Sequence, residues 1–144
     1  MRATASSRSS GFMSTELAIQ PCCLVVEDQA LIAMSIEAYL EDEGFEVETV
    51  TSIAQARAWL EQADTPKLAI LDFMLKDGPA TEFAAELRRR GIPFVVYSGY
   101  PRALGVPSEL EEVPWLEKPM GRDELLNALM SLPAQMSPIA SLNS

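Results

Sequence analysis

Histidine is absent from this sequence of 144 residues. Its absence excludes catalysis by a histidine base, metal sites built from imidazoles, and a phosphohistidine carried by this chain. Cysteine is scarce, and the two that occur, Cys22 and Cys23, are adjacent. Because neighbouring residues on a strand point to opposite faces, no disulfide framework is expected. We interpret both cysteines as buried thiols in a reducing cytoplasm.

Positive charge is scarce as well. The chain has 11 Lys and Arg residues against 21 Asp and Glu residues, and its net charge of −10 argues against a nucleic-acid partner bound through basic patches. No apolar run is long enough to span a bilayer, so no membrane insertion is expected. The sequence does contain 48% hydrophobic residues, enough for one packed core, and its length is typical of a single domain.

The two ends of the chain differ from its middle. Residues 1–13 are rich in serine and lack acidic residues, and residues 133–144 contain two prolines without apolar periodicity. We therefore expect a disordered N-terminal tail over 1–20, a folded domain over 21–132 and a C-terminal tail over 133–144.

Apolar runs alternate with amphipathic stretches inside the predicted domain. Three continuous runs are typical of central strands covered on both faces: 22–27, 67–73 and 93–99. The alternating run 45–50 and the proline-containing run 112–118 are typical of edge strands. This βα alternation predicts an α/β fold, a doubly wound parallel sheet with strand order 2-1-3-4-5.

Helices are expected between these strands. Asp28 is expected to act partly as the N-cap of the first helix, Ser52 and Gln55 are typical of a capping box, and Pro119 is expected to start the last helix. The segment 100–113 has two prolines, a glycine and little amphipathicity. The fourth helix is therefore expected to be short or mobile.

Polar residues end the central strands. Glu27 and Asp28 end the first, Asp72 the third and Ser98 the fourth, while Lys118 ends the fifth. In such sheets the ligand site lies at the carboxyl ends of the strands, where the strand order reverses. Three converging carboxylates would repel one another, and a bound Mg²⁺ would offset that repulsion. Together with a lysine and a hydroxyl, this set predicts a phosphoryl-transfer site with Asp72 as nucleophile.

Each of these residues also has a simpler interpretation as a helix cap or a turn residue. Taken singly, the simpler interpretation is favoured for every one. Taken together, all of them would have to coincide at one edge of the sheet, so the functional interpretation is preferred.

Four motifs, taken in order, resemble the receiver domain of two-component response regulators: LVVED (24–28), LAILDFMLKDG (68–78), YSG (97–99) and LEKP (116–119). The resemblance covers roughly residues 22–131. It implies a flavodoxin-like (βα)5 fold and phosphorylation of Asp72. It also implies that Mg²⁺ is held by Glu27, Asp28, Asp72 and the backbone carbonyl of Met74.

The resemblance further implies roles for residues near the end of the domain. Ser98 and Lys118 would bind phosphoryl oxygens, and Trp115 matches an aromatic residue that turns inward on phosphorylation. The peptide bond between Lys118 and Pro119 would be cis.

The expected phosphoryl donor is a sensor histidine kinase or a histidine phosphotransferase protein. The resemblance implies that this partner docks on Gln29, Leu31, Ile32, Ser35, Pro119 and Met120. YSGYP (97–101) is similar to a subgroup of single-domain receivers that often work with HWE-type kinases. We expect a cytoplasmic regulator that loses phosphate slowly, is no dedicated enzyme, and acts on an unidentified downstream protein as a relay shuttle or sink, or as an adaptor.

Two other classes stay open at this point. One is a phosphohydrolase with an aspartyl nucleophile, which would need a second aspartate where this chain has Met74. The other is a receiver-like scaffold that binds partners without being phosphorylated.

Overall fold

A five-stranded parallel sheet forms the centre of the computed structural model, which describes residues 20–62 and 65–132. The strands of this sheet are β1 (Cys22–Val26), β2 (Glu46–Val50), β3 (Leu68–Leu71), β6 (Phe94–Ser98) and β7 (Trp115–Glu117). A separate short hairpin pairs β4 (Met74–Leu75) with β5 (Gly78–Pro79). The helices are α1 (Ala30–Asp42), α2 (Ile53–Gln62), α3 (Thr81–Arg89) and α4 (Arg122–Met130).

The order of the strands is β2-β1-β3-β6-β7, so the predicted fold class and strand order are confirmed. β2 and β7 lie at the edges, as their sequence patterns predict. Val26 pairs with Leu71 across β1 and β3, and the Asp72 N–H donates to the Val26 carbonyl at 2.9 Å. The residues that follow these two strands therefore leave the sheet at the same level.

Helices cover both faces of the sheet. Leu60 and Phe83, from α2 and α3, lie in one buried apolar cluster, and Leu40 and Leu125, from α1 and α4, lie in the other. No helix in the described part of the chain is long and apolar enough to cross a membrane. The predicted tails lie outside the described residues, apart from Gln20, and the predicted domain limits stay a prediction.

The helix expected between β6 and β7 is reduced to two 3-10 turns, Arg102–Leu104 and Ser108–Leu110, in agreement with the prediction that it is short. Pro101 and Pro107 precede these turns, and Gly105 has a φ of 105°, which interrupts any longer helix between them.

One local prediction is wrong, and one element was not predicted. The last helix begins at Arg122 rather than at Pro119, because the Glu124 carboxylate accepts the Gly121 N–H at 3.2 Å and closes the helix N-terminus there. The β4–β5 hairpin was not expected at all. Its sequence signal is Gly78, which directly follows the two loop residues and has a φ of 123°, a backbone conformation that other residues rarely adopt.

Candidate functional site

Three carboxylates meet at the carboxyl ends of β1 and β3. Oxygen atoms of Glu27, Asp28 and Asp72 all lie within 4.8 Å of one another. The register of the two strands causes this proximity, because Val26 and Leu71 are paired immediately before the acidic residues. Glu27 and Asp72 are buried, which makes their mutual repulsion costly unless a cation lies close by.

Lys118 supplies a cation to this cluster. Its Nζ lies 2.9 Å from Glu27 Oε1 and 3.2 Å from Asp72 Oδ2. The same ammonium donates to the side-chain oxygen of Gln29 at 3.1 Å. The backbone N–H of Lys118 donates to the Ser98 carbonyl at 2.9 Å, so the pairing of β6 with β7 directs this lysine into the site.

The pKa values of the buried ion pair are displaced. Burial raises the pKa of Glu27, and nearby Asp72 adds to the rise while Lys118 opposes it. Burial by itself would lower the pKa of Lys118, but the hydrogen bond to Glu27 and the charges of Asp72 and Glu27 outweigh it, so that pKa is raised. Lys118 therefore stays charged at neutral pH.

The donor set fits Mg²⁺. Clustered carboxylate oxygens are the hard ligands that this cation prefers, and it usually keeps several waters beside them. The hairpin adds a further oxygen. The Ala80 N–H donates to the Phe73 carbonyl at 2.7 Å, so the next pair, Met74 with Pro79, is a non-hydrogen-bonded pair, and the Met74 carbonyl points away from the partner strand. Glu27, Asp28, Asp72 and the Met74 carbonyl are thus the residues that would hold the cation.

Ser98 and Trp115 lie on β6 and β7, the two strands that extend the sheet beyond β3. Ser98 is buried at the end of β6, and its Oγ accepts the Tyr100 N–H at 3.2 Å. The Trp115 ring packs on Phe73, the neighbour of Asp72, with a centroid distance of 5.1 Å. Its Nε1 donates to the Tyr100 carbonyl at 2.9 Å, so one aromatic side chain contacts the segments that follow β3 and β6.

The sequence profile of the response regulator receiver domain matches residues 23–130. The chain belongs to the response regulator receiver family. Among curated relatives, the photosynthetic apparatus regulatory protein RegA of Cereibacter sphaeroides is 29% identical over 127 residues, covering 85% of this chain and 68% of RegA. The acid tolerance regulatory protein ActR of Rhizobium meliloti is 29% identical over 116 residues, covering 78% of this chain and 59% of ActR.

Two solved structures are similar to this fold. SdrG from Sphingomonas melonis Fr1 is 37% identical with a TM-score of 0.66, covering 78% of this chain and 95% of SdrG. A sensor protein from Polaromonas sp. JS666 is 28% identical with a TM-score of 0.72, covering 83% of this chain and all of that one. The receiver described here thus spans nearly all of SdrG but only 59–68% of the curated regulators named above.

The residues expected to dock a partner lie around the start of α1 in this receiver, and most are accessible. Leu31 is 80% exposed, whereas its neighbour Ile32 is half-buried against the core, so only Leu31 is fully available to a partner. Met120 is also half-buried, while the remaining three are exposed: Gln29, Ser35 and Pro119. The Lys118–Pro119 peptide bond is cis, as the resemblance implies.

One role expected from the sequence is wrong, and two contacts were missed. Asp28 does not cap α1, since the N-cap is Gln29, whose own N–H donates to Glu27 Oε2 at 3.2 Å. The contact of Gln29 with Lys118 was missed because a polar residue at a helix start carries no signal for a partner 89 residues away. The bonds that Asp77 makes to α2 were missed with the hairpin itself.

Proposed function

We propose that this chain is a phosphoacceptor response regulator, in which Asp72 receives a phosphoryl group from a phosphohistidine on a partner protein. The observation that carries the proposal is the contact of Lys118 with both Asp72 and Glu27 beside Asp28. A fixed lysine and a metal-binding acid cluster on either side of one carboxylate are the parts that phosphoryl transfer requires.

The transfer forms one bond and breaks another. An oxygen of the Asp72 carboxylate attacks phosphorus, the phosphorus–nitrogen bond of the donor breaks, and the donor imidazole leaves with the electron pair and takes up a proton. Lys118 offsets negative charge on the phosphoryl oxygens. Bound Mg²⁺ would supply further charge compensation to the same oxygens. The chain contributes mainly position and electrostatics.

Ser98 is suited to bind the transferred group. Its Oγ accepts a hydrogen bond from Tyr100, which leaves its own hydrogen to donate to a phosphoryl oxygen. Phosphorylation adds negative charge beside this hydroxyl, and we propose that Trp115 then adjusts with it, because the indole is bonded to the Tyr100 carbonyl.

The proposed donor is a sensor histidine kinase or a histidine phosphotransferase protein, which would dock on the exposed surface around Leu31. We propose that the output is contact with a downstream protein, as a relay shuttle or sink or as an adaptor, in the cytoplasm. Loss of phosphate would be slow, and no dedicated enzymatic activity is proposed.

The test is electrophoresis that retards phosphoproteins, after incubation with acetyl phosphate in the presence and absence of Mg²⁺. We expect a retarded band for the wild type only with Mg²⁺, loss of that band in Asp72→Asn, and strong reduction in Asp28→Asn. Retardation that persists in Asp72→Asn would refute the assignment. A wild type that is never retarded would favour the scaffold, and release of phosphate from small phosphoesters would favour the phosphohydrolase.

A further inference from the structure

The hairpin after Asp72 is too short to hold its own position. Its ladder has two residue pairs, Met74 with Pro79 and Leu75 with Gly78, and a lone hairpin of this size has little stability in water. Leu75 is buried in the core and fixes the inner side of the hairpin. The outer side needs a second attachment if Met74 is to keep a constant place beside Asp72.

Asp77 provides that attachment. Its two carboxylate oxygens accept the backbone N–H groups of Ile53 and Ala54, each at 3.1 Å. These are the first two residues of α2, and such N–H groups have no partner within the helix. Hydrogen bonds from the N–H groups of Ile53 and, to a smaller extent, Ala54 lower the pKa of Asp77. The carboxylate is therefore ionised when it makes this contact at neutral pH.

The contact links two parts of the fold that are far apart in sequence. Asp77 and Ile53 are separated by 24 positions. α2 also has a cap of its own, since the Gln55 N–H donates to Ser52 Oγ at 3.1 Å, while α1 and α3 begin without any side-chain cap. The two bonds of Asp77 attach the outer side of the hairpin to the start of α2.

We propose that Asp77 is a positioning residue for the divalent cation, because it fastens the hairpin that presents the Met74 carbonyl to the N-terminus of α2. The inference rests on the proposed function, in which that carbonyl joins the three carboxylates. Mg²⁺ demands nearly ideal octahedral geometry, so a small displacement of one oxygen weakens its binding.

The experiment compares Asp77→Ala with Ser52→Ala. Both variants remove a bond at the start of α2, so both should lower the thermal midpoint, but only the first releases the hairpin. Mg²⁺ alone is titrated into each protein, and its Kd is taken from amide chemical shifts of residues around Asp72. We expect Asp77→Ala to bind Mg²⁺ about tenfold more weakly than wild type. This is the lower end of the loss in affinity that usually follows when a residue that positions a metal ligand is removed.

Ser52→Ala should keep the wild-type Kd for Mg²⁺. An unchanged Kd in Asp77→Ala, or equal weakening in both variants, would overturn the positioning role while leaving the proposed function in place. A wild type whose spectrum does not respond to millimolar Mg²⁺ would overturn both proposals, so the two failures have different signatures.

Discussion

Two connections leave the sheet beside the acidic cluster, and they are built differently. After β3 the chain forms a paired hairpin, with Leu75 buried beneath it and Asp77 bonded to α2. After β6 the segment 99–113 has only 3-10 turns, and side chains attach it to β7. The Arg102 N–H donates to the Glu117 carboxylate of β7 at 3.2 Å, and Trp115 of β7 donates to the Tyr100 carbonyl at 2.9 Å, while the Arg102 side chain donates within the segment to the carbonyls of Glu111 and Val113.

The difference matches the function proposed for each side of the site. A cation bound through the Met74 carbonyl would require a fixed position for that oxygen, and paired backbone with two anchors meets this requirement. The segment after Ser98 instead has no paired strands, and apart from buried Leu110 and Val113 it is held by single side-chain bonds, each worth about 1 kcal/mol. A change of charge at Asp72 can therefore rearrange this segment more easily than the hairpin.

The largest expected effect comes from removing the buried leucine of each connection. Leu75→Ala and Leu110→Ala should each lower the free energy of unfolding by about 2–5 kcal/mol, because both side chains are buried. Only Leu75→Ala should also weaken Mg²⁺ binding, since Leu75 follows Met74 directly. Urea denaturation measures the free energy of unfolding, and titration with Mg²⁺ followed by amide chemical shifts measures the affinity for the cation. Equally weakened Mg²⁺ binding in both variants would contradict the proposed difference between the two connections.

A smaller effect, on the rate of phosphoryl transfer, should distinguish the proposed docking surface around Leu31 from the segment after β6. Leu31→Glu places a charge on a side chain that is 80% exposed at the start of α1, and Leu104→Glu does the same at one that is 68% exposed. Transfer from the cognate histidine protein should slow about tenfold in Leu31→Glu, equivalent to about 1.4 kcal/mol of barrier. Quenched-flow labelling measures that rate.

Labelling by acetyl phosphate serves as the internal control for both leucine variants. It should be unchanged in Leu31→Glu, and Leu104→Glu should keep both rates. Equal slowing with both donors would mean that the variant damages the site rather than the docking surface.

The smallest effect concerns the indole bond. Trp115→Phe keeps a ring against Phe73 but cannot donate to the Tyr100 carbonyl, so it should cost about 1 kcal/mol of unfolding free energy. Amide hydrogen exchange should quicken over 99–113 and stay unchanged over 74–79. Trp59→Phe, at the other tryptophan, is the matched control and should change neither segment.

Sequence patterns predicted the five strands of the central sheet, their order and the residues around Asp72, because apolar runs and polar strand ends are local signals. They predicted a short fourth helix from its prolines for the same reason. The bonds of Asp77 to α2, of Gln29 to Lys118 and of Trp115 to Tyr100 could not be predicted, since each joins distant positions through side chains whose directions depend on the assembled fold.

The central claim is that Asp72 carries the phosphoryl group. Sodium borohydride reduces an aspartyl phosphate to homoserine, and peptide mapping by mass spectrometry then locates the modified position. After incubation with acetyl phosphate and Mg²⁺, we predict conversion at Asp72 and at no other carboxylate, with none in the absence of Mg²⁺. Conversion at Asp28 or Asp77, or unmodified Asp72 under these conditions, would contradict the account.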